Sequence, residues 1–313
     1  MWRAAVPARG ASGGWPDGWT RVRTLFTSGG ETDCRSPRAS LGSSAALAWN
    51  GGTGRYELFY VGFKSCNDSN FVNRQGRIYR AVADAPGAKG LDGGFTDASV
   101  ALAPGIASQA WEGTQGVDSM QPFPLGKGRG WASFFGSAGV TPSGTNLGQR
   151  VGLAQAPQLS GPWRRAAAGN PVNLSAWVPH IEQPMVTALA DGTFAAVFDA
   201  LTAEGRGMIG YAWSADGLRW LPECSQLLPV AAGPRGAPWA RAGVARTPQG
   251  LVEIGDGELL LAFSAYDHKL PPHYSLPSQK GVADADHESM GVARLRLGPS
   301  DPPSAADVAA RDQ

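Results

Sequence analysis

Three carboxylates stand at related places ahead of prolines that recur along the chain. Asp33 and Asp118 each lie four residues before a proline, Pro37 and Pro122, and Glu182 lies two before Pro184. A carboxyl group held protonated can give its proton to a leaving oxygen, while an ionised one can activate water or attack carbon. A third carboxylate raises the acid's proton affinity by like-charge repulsion. Three such groups divide the roles that cleavage of a glycosidic bond requires. Taken singly each is ordinary, because Asp commonly caps a turn by bonding its own backbone. The offset repeated at Asp33 and Asp118, with Glu182 added, is what joins them.

The prolines open an internal repeat. Four segments, SPRASLGSSAALAWNGGTGRYELFYVGF from Ser36, QPFPLGKGRGWASFFGSA from Gln121, QPMVTALADGTFAAVFDA from Gln183 and TPQGLVEIGDGELLLAFSAYD from Thr247, share one plan. Each has a Pro at or near its start, a short strand, a turn and a strand ending in aromatics. The turns contain Gly-Gly-Thr-Gly, Gly-Lys-Gly, Asp191-Gly192 and Asp256-Gly257, which supply the positive φ of tight hairpins. A third strand of alternating small and bulky residues follows each hairpin, from Gly76, Val151, Ile209 and Met290, and two of these run on to Trp163 and Trp220.

The repeat prolines are 85, 62 and 64 residues apart. A period near that length with three or four strands per unit is what a propeller blade requires. Helical periodicity is nearly absent; a stretch such as 83–88 could take a turn, which Pro86 stops. The expected fold is all-β, a five-bladed β-propeller in a single domain over residues 19–297. An N-terminal extension covers 1–18 and a disordered, Pro- and Ser-rich tail covers 298–313. Four repeats are clear, and the fifth blade would draw on the WTRVRTLF strand near the N-terminus. A β-sandwich, the alternative, would repeat its strands without the long period.

Composition narrows the partners. The 313 residues carry 27 Lys and Arg against 26 Asp and Glu, a net charge of +1. That offers no field to gather nucleic acid or anionic lipid. No apolar run is long enough to span a bilayer. The start, MWRAAVPARGASGG, lacks the continuous apolar stretch of a secretory signal, so a cytoplasmic protein is expected unless a leader precedes it. Cys34, Cys66 and Cys224 lack metal-ligand spacing and are expected as free buried thiols, with a Cys34–Cys66 bridge as the alternative.

The Ile-Glu-Gln-Pro motif at Ile181 to Pro184, Asp118 one repeat earlier, and strands such as YELFYVGF and VGLAQAP with its following SGPW carry a family likeness. They resemble the five-bladed propeller furanosidase superfamily: the arabinanases, arabinofuranosidases and xylosidases of glycoside hydrolase family 43, and the related fructan hydrolases. The resemblance covers roughly residues 33–297. It implies hydrolysis of a furanosyl or pentosyl bond in an oligo- or polysaccharide, with inversion. It also implies Asp33 as general base, Asp118 orienting and tuning the acid, and Glu182 as general acid. One departure stands out. Family 43 usually places its base directly before the first-blade proline, where this chain has Ser36. That slot motivates the alternative of a propeller that binds carbohydrate without cleaving it.

Further candidates ring the expected channel. Arg241 could bind sugar hydroxyls or hold the acid carboxylate, His180 could tune Glu182, and Trp111 and Trp177 could stack on a sugar face, as could Trp131 and Trp239. His287 could enter the channel, where the family often has a His near a bound cation. No cofactor is required. A structural calcium ion in the channel is conceivable, and the run Asp284, Asp286, Glu288 offers oxygen ligands, but its spacing fits no metal loop. Ser-Ala-Asp-Gly-Leu-Arg-Trp at Ser214 to Trp220 resembles the Asp box of sialidases, one residue short. In that role it is a structural turn away from any active site.

Overall fold

Strands bounded by Gly- and Asp-rich turns account for nearly all of the regular structure. The computed structural model describes residues 2–5, 20–24, 38, 40–64, 75–140, 146–174, 180–201, 207–220, 225–227, 245–255, 257–266 and 288–296. Strand β1 (Trp2–Ala5), within the stretch expected as an extension, pairs antiparallel with β2 (Thr20–Thr24). The first large sheet runs in chain order through β3 (Ser40–Asn50), β4 (Arg55–Phe63), β5 (Arg77–Ala83) and β6 (Phe95–Leu102). A single helical turn, α1 (Lys89–Asp92), joins its last two strands, starting just beyond the Pro86 that was expected to forbid one.

The second sheet comprises β7 (Asp118–Pro124), β8 (Trp131–Val140), β9 (Asn146–Ala156) and β10 (Arg164–Arg165). The third comprises β11 (His180–Ala188), β12 (Phe194–Leu201), β13 (Gly207–Ser214) and β14 (Ser225–Leu227). The fourth has β15 (Ala245–Gly255), β16 (Glu258–Tyr266) and β17 (Glu288–Arg296). All four are antiparallel meanders, so the four sequence repeats are four sheets.

The period of two along each strand sends alternate side chains to opposite faces, and both faces are apolar in the inner sheets. Phe59, Val61 and Ile78 of the first sheet meet Met120, Phe135 and Ala154 of the second, with Trp163 in the same cluster. Phe123, Phe134 and Val151 meet Val186, Phe194 and Phe198 of the third, with Trp220 among them. The other face of β12, Ala195 and Val197, packs with Leu251, Leu259 and Leu261 of the fourth. The sheets thus stack in chain order, and the first strands β3, β7, β11 and β15 run side by side, as successive blades of a propeller do. Trp163 and Trp220 fill the wedges between sheets, the place read for them from the repeat.

The Asp-box-like segment is a turn that pins two sheets. Asp216 Oδ1 accepts hydrogen bonds from the backbone N–H of Leu218 and Arg219, each at 2.8 Å, and Trp220 Nε1 donates to Gly217 O at 3.1 Å. The Trp220 ring packs on Phe134 of the second sheet, and Arg129 Nη1 of that sheet donates to Asp216 O. Gly217 has φ +77° and lies against Leu125, Phe123 and Phe194, so a side chain there is excluded twice over.

Candidate functional site

Asp118 opens β7, and the backbone before it is tied on two sides. Gly76 N–H donates to Gln115 O at 2.7 Å and Val117 N–H to Gly76 O at 2.9 Å, linking the approach to the first sheet. Ser137 Oγ of β8 donates to Gly116 O at 2.7 Å. Gly116 has φ +83° and its absent Cβ would lie 2.4 Å from Gly76 N, so only glycine fits this crossing. Immediately after Asp118 the ladder is interrupted by a bulge at Ser119, which takes φ +44°. A bulge re-aims the residues beside it.

The same device recurs at Glu182, on the third sheet's first strand. A bulge follows it and Gln183 takes φ +49°. The fourth sheet repeats it after Arg246, where Thr247 has φ +48°. Asp118, Glu182 and Arg246 are 64 residues apart in each step. They also face equivalent ladder partners, Gly136, Asp199 and Ser264. Non-glycine residues in the left-handed region are uncommon, and three at one level of three adjacent sheets mark a shared construction.

The two carboxyl groups sense one another. Asp118 is pushed from 3.8 up to about 7, chiefly by burial and next by the charge of Glu182. The Ser119 backbone N–H and the Gln115 side chain oppose this by donating to the carboxylate, Gln115 Nε2 at 2.9 Å from Oδ2. Glu182 is itself buried, 8% exposed. Asp118 therefore keeps its proton to higher pH than an ordinary carboxyl, beside the charge of Glu182. Gln121 Oε1 of β7 accepts from the Val186 N–H of β11 at 3.1 Å, which fixes the two strands against one another. Beside them is a shallow hollow of about 10 Å³, lined by Ala45 and Ala46 of β3, residues 119–121 of β7 and 183–185 of β11.

The register of the first sheet sets another residue at the level of Asp118. In β3 the interruption is longer, between Leu41 and Ala45, and Leu41 faces Gly62 as Asp118 faces Gly136. Leu41 therefore holds the first sheet's version of the carboxylate position. Proline offsets miss this because Pro122 and Pro184 lie inside their strands whereas β3 begins only at Ser40. Asp33 itself lies outside the described residues, as do Arg241, Trp177, Trp239, His287, Asp284, Asp286 and all three cysteines.

Two of the tryptophans read from the sequence have packing partners. Trp111 is half-buried, donates from Nε1 to Gln109 Oε1 at 2.8 Å, and lies against Phe135 at 5.5 Å between ring centres, the contacts of a packing tryptophan. Trp131 likewise packs on the cluster between the first two sheets. His180 is the first residue of β11, opposite Leu201 and two residues from Glu182. Among the described residues no group of three His, Cys, Asp or Glu side chains could hold a metal ion, and no helix is long and apolar enough to cross a membrane.

Sequence reasoning passed over Gln115, Gln121, Arg246 and Asp199. The 64-residue step that joins Asp118 to Glu182 continues to Arg246, five residues beyond the arginine chosen from sequence. Aligning the second strands would have exposed Asp199. Val61-Gly62, Phe135-Gly136, Phe198-Asp199 and Phe263-Ser264 are equivalent pairs with one acidic member.

No protein-family model matches the chain, and no curated protein does. Solved structures do match. A glycoside hydrolase superimposes with a TM-score of 0.59 at 16% identity, over 91% of this chain and 77% of the other. A thermostable family-43 glycoside hydrolase gives 0.50 at 15%, over 84% and 73%. An alpha-L-arabinofuranosidase from Lactobacillus brevis gives 0.50 at 12%, over 83% and 68%. At these identities the likeness is one of architecture: the chain has the fold of glycoside hydrolases of the family-43 kind.

Proposed function

We propose that the protein is a glycoside hydrolase that cleaves a furanosyl or pentosyl linkage in an oligo- or polysaccharide with inversion, on a five-bladed propeller. The observation that carries this is the coupled pair of Asp118 and Glu182, set by matching bulges on neighbouring first strands. Glu182 serves as general acid and protonates the leaving oxygen. Asp118 keeps the proton on the pair and orients Glu182. Asp33 serves as general base, taking a proton from the water that attacks the anomeric carbon from the opposite side. Inversion calls for an acid-to-base separation of about 6.5–9.5 Å, leaving room for that water. The fold likeness to glycoside hydrolases supports the class of chemistry.

The fifth blade is supported by what the outer sheets leave open. Leu47 and Trp49 on β3, and Val252, Ile254 and Val292 on the fourth sheet, are large apolar residues between 41% and 49% exposed. A further sheet between the first and fourth would cover both faces, and β1 with β2 supplies two of its strands.

Leu41 at the first sheet's carboxylate position favours a second reading, a propeller that binds carbohydrate without cleaving it. One assay separates them: hydrolysis of aryl arabinofuranosides, xylosides and fructosides by wild type and Glu182→Gln. The hydrolase reading expects turnover in wild type and a loss of about 10²–10⁴-fold in the variant. Equal rates would end the assignment of Glu182. Sugar binding without turnover in either protein would establish the second reading.

A further inference from the structure

Gln115 is buried, 3% exposed, on the approach to β7, and its side-chain amide donates from Nε2 to Asp118 Oδ2 at 2.9 Å. A buried amide is costly unless it is hydrogen-bonded, and here the bond is aimed at the carboxyl group itself. The repeat does not ask for a donor at this place. The residues three before Glu182 and Arg246, the next members of the 64-residue step, are Pro179 and Gly243, and neither has a side-chain donor.

The segment that carries Gln115 is fastened along its length. Arg165 of β10 grips Glu112 with both Nε and Nη2, the latter at 2.7 Å from Oε2, and the two side chains are buried. The same Nη2 donates to Ala103 O at 3.0 Å. Gly113 N–H donates to Ser137 Oγ at 3.1 Å, and a Cβ on Gly113 would fall 2.1 Å from Ala138 O, so the segment lies directly on β8. Gln115 N–H donates to Ala138 O of the second sheet at 3.1 Å, while Gln115 O accepts from Gly76 N–H of the first at 2.7 Å. Its side chain therefore starts from a backbone held on both sides. A donor presented from a fixed backbone favours one rotation of the carboxyl group that accepts it.

We propose that Gln115 is a positioning residue for Asp118: its amide, presented by this fastened segment, fixes the rotation of the carboxyl group and favours the carboxylate over the acid. A hydrogen-bond donor stabilises the charged form, and Gln115 works in that direction against burial and the charge of Glu182. That the arrangement serves bond cleavage rests on the hydrolase reading above; the bond from amide to carboxyl does not. Among the described residues, Glu182 of β11 supplies the charge that acts on Asp118, and β11 also has His180 at its first position. Strand β3 has no titratable residue. On β4, Glu57 is paired with Arg80 and the Tyr60 hydroxyl donates to Asp97. Arg77 of β5 alternates with Ile78, which faces the second sheet, and so points the other way. Strands β8 and β9 bring the neutral Ser137 and Gln149, and Arg150 is exposed.

The test compares wild type with Gln115→Met, which keeps the length of the side chain and removes the donor. Carbon-13 NMR follows the Asp118 carboxyl, its signal identified by its loss in Asp118→Asn, and nitrogen-15 NMR follows the Gln115 side-chain amide in wild type. Losing the donor should raise the Asp118 titration by about 0.5–1 pH unit, and the wild-type amide signal should shift with the same midpoint as the carboxyl. On an aryl arabinofuranoside, kcat should fall by about ten- to hundredfold while KM stays within about twofold, because the amide bonds to the carboxyl group. An unmoved Asp118 titration in folded Gln115→Met would overturn the proposal. Should that variant fail to fold, the wild-type amide decides alone: a shift with the carboxyl midpoint supports the proposal and a flat signal overturns it. If only the hydrolase reading fails, wild type turns over no glycoside while the Asp118 titration still rises in the variant. If only this proposal fails, turnover persists in Gln115→Met with neither titration nor kcat changed.

Discussion

The first and third sheets open with the same hairpin and the same interrupted first strand, yet they present opposite chemistry at the interruption. In the third sheet Glu182 faces Asp199, a buried pair of acids; in the first, Leu41 faces Gly62. Both strands solve one backbone problem, bending a first strand where neighbouring sheets crowd together. The bulge is therefore architecture, and the residue before it decides whether a sheet contributes chemistry. The second sheet, with Asp118 facing Gly136, sits between these extremes.

The largest test of this contrast is a paired substitution. Asp118→Asn should lower kcat/KM on a cleaved glycoside by about 10²–10³-fold, since it removes the charge that cooperates with Glu182. Leu41→Ala at the corresponding level of the first sheet should stay within about threefold, after correction for any folding loss from its packing near Tyr60. Comparable losses in the two variants would mean that the first sheet's position is part of the site, and the contrast would fall.

The same carboxyl sharpens the contrast through stability. Asp118 binds its proton more tightly in the folded chain, about 7 against 3.8. It therefore supports folding fully below about pH 4 and withdraws that support as pH rises towards 7. Across that window Asp118→Asn should gain urea midpoint relative to wild type, whereas Leu41→Ala should run parallel to it. A constant offset for Asp118→Asn at every pH would remove the burial and coupling argument.

Much of the architecture was legible because each sheet is written locally. Asp191-Gly192 and the Gly-rich turns fix the hairpins, and alternation such as Phe194, Ala196, Phe198 against Ala195, Val197 fixes which side of a sheet each residue lines. Asp118 and Glu182 were legible because both lie inside strands one 64-residue step apart, although Pro122 and Pro184 do not share a register. Asp33, chosen on the same proline offset as Asp118, lies outside the described residues. Asp199 and Gln115 were illegible one at a time, because a buried Asp or Gln has no local signature; ladder pairing sets Asp199 opposite Glu182, and a hydrogen bond from the approach to β7 brings Gln115 to Asp118. Trp111 was read as a sugar platform from its place in a loop, and the Phe135 ring it rests on is a tertiary partner that spacing does not disclose.

A smaller effect is expected where a sheet has only a structural turn. Asp216→Ala removes the acceptor of the Leu218 and Arg219 N–H groups, each at 2.8 Å, and should cost about 1–2 kcal/mol of stability. The catalytic rate should not change, because the turn clamps the second and third sheets at Trp220 rather than at the carboxylates. A drop in kcat without a drop in thermal midpoint would show that this clamp positions the acids, and the division between architecture and chemistry would need redrawing.

The smallest effect bears on the bulge itself. A left-handed residue other than glycine costs about 1–2 kcal/mol, part of which glycine returns as lost chain entropy. Thr247, at φ +48° in the fourth sheet, is β-branched and poorly suited to that backbone. Thr247→Gly should raise stability by about 0.5 kcal/mol and leave turnover within twofold. Gln183→Gly, at φ +49° beside Glu182, gains similar relief but frees the backbone that holds the acid, so its kcat should fall while its KM holds. If both glycines prove equally silent in turnover, the bulge bends strands without aiming Glu182, and the site's geometry must be set by the Gln121 to Val186 link between the strands instead.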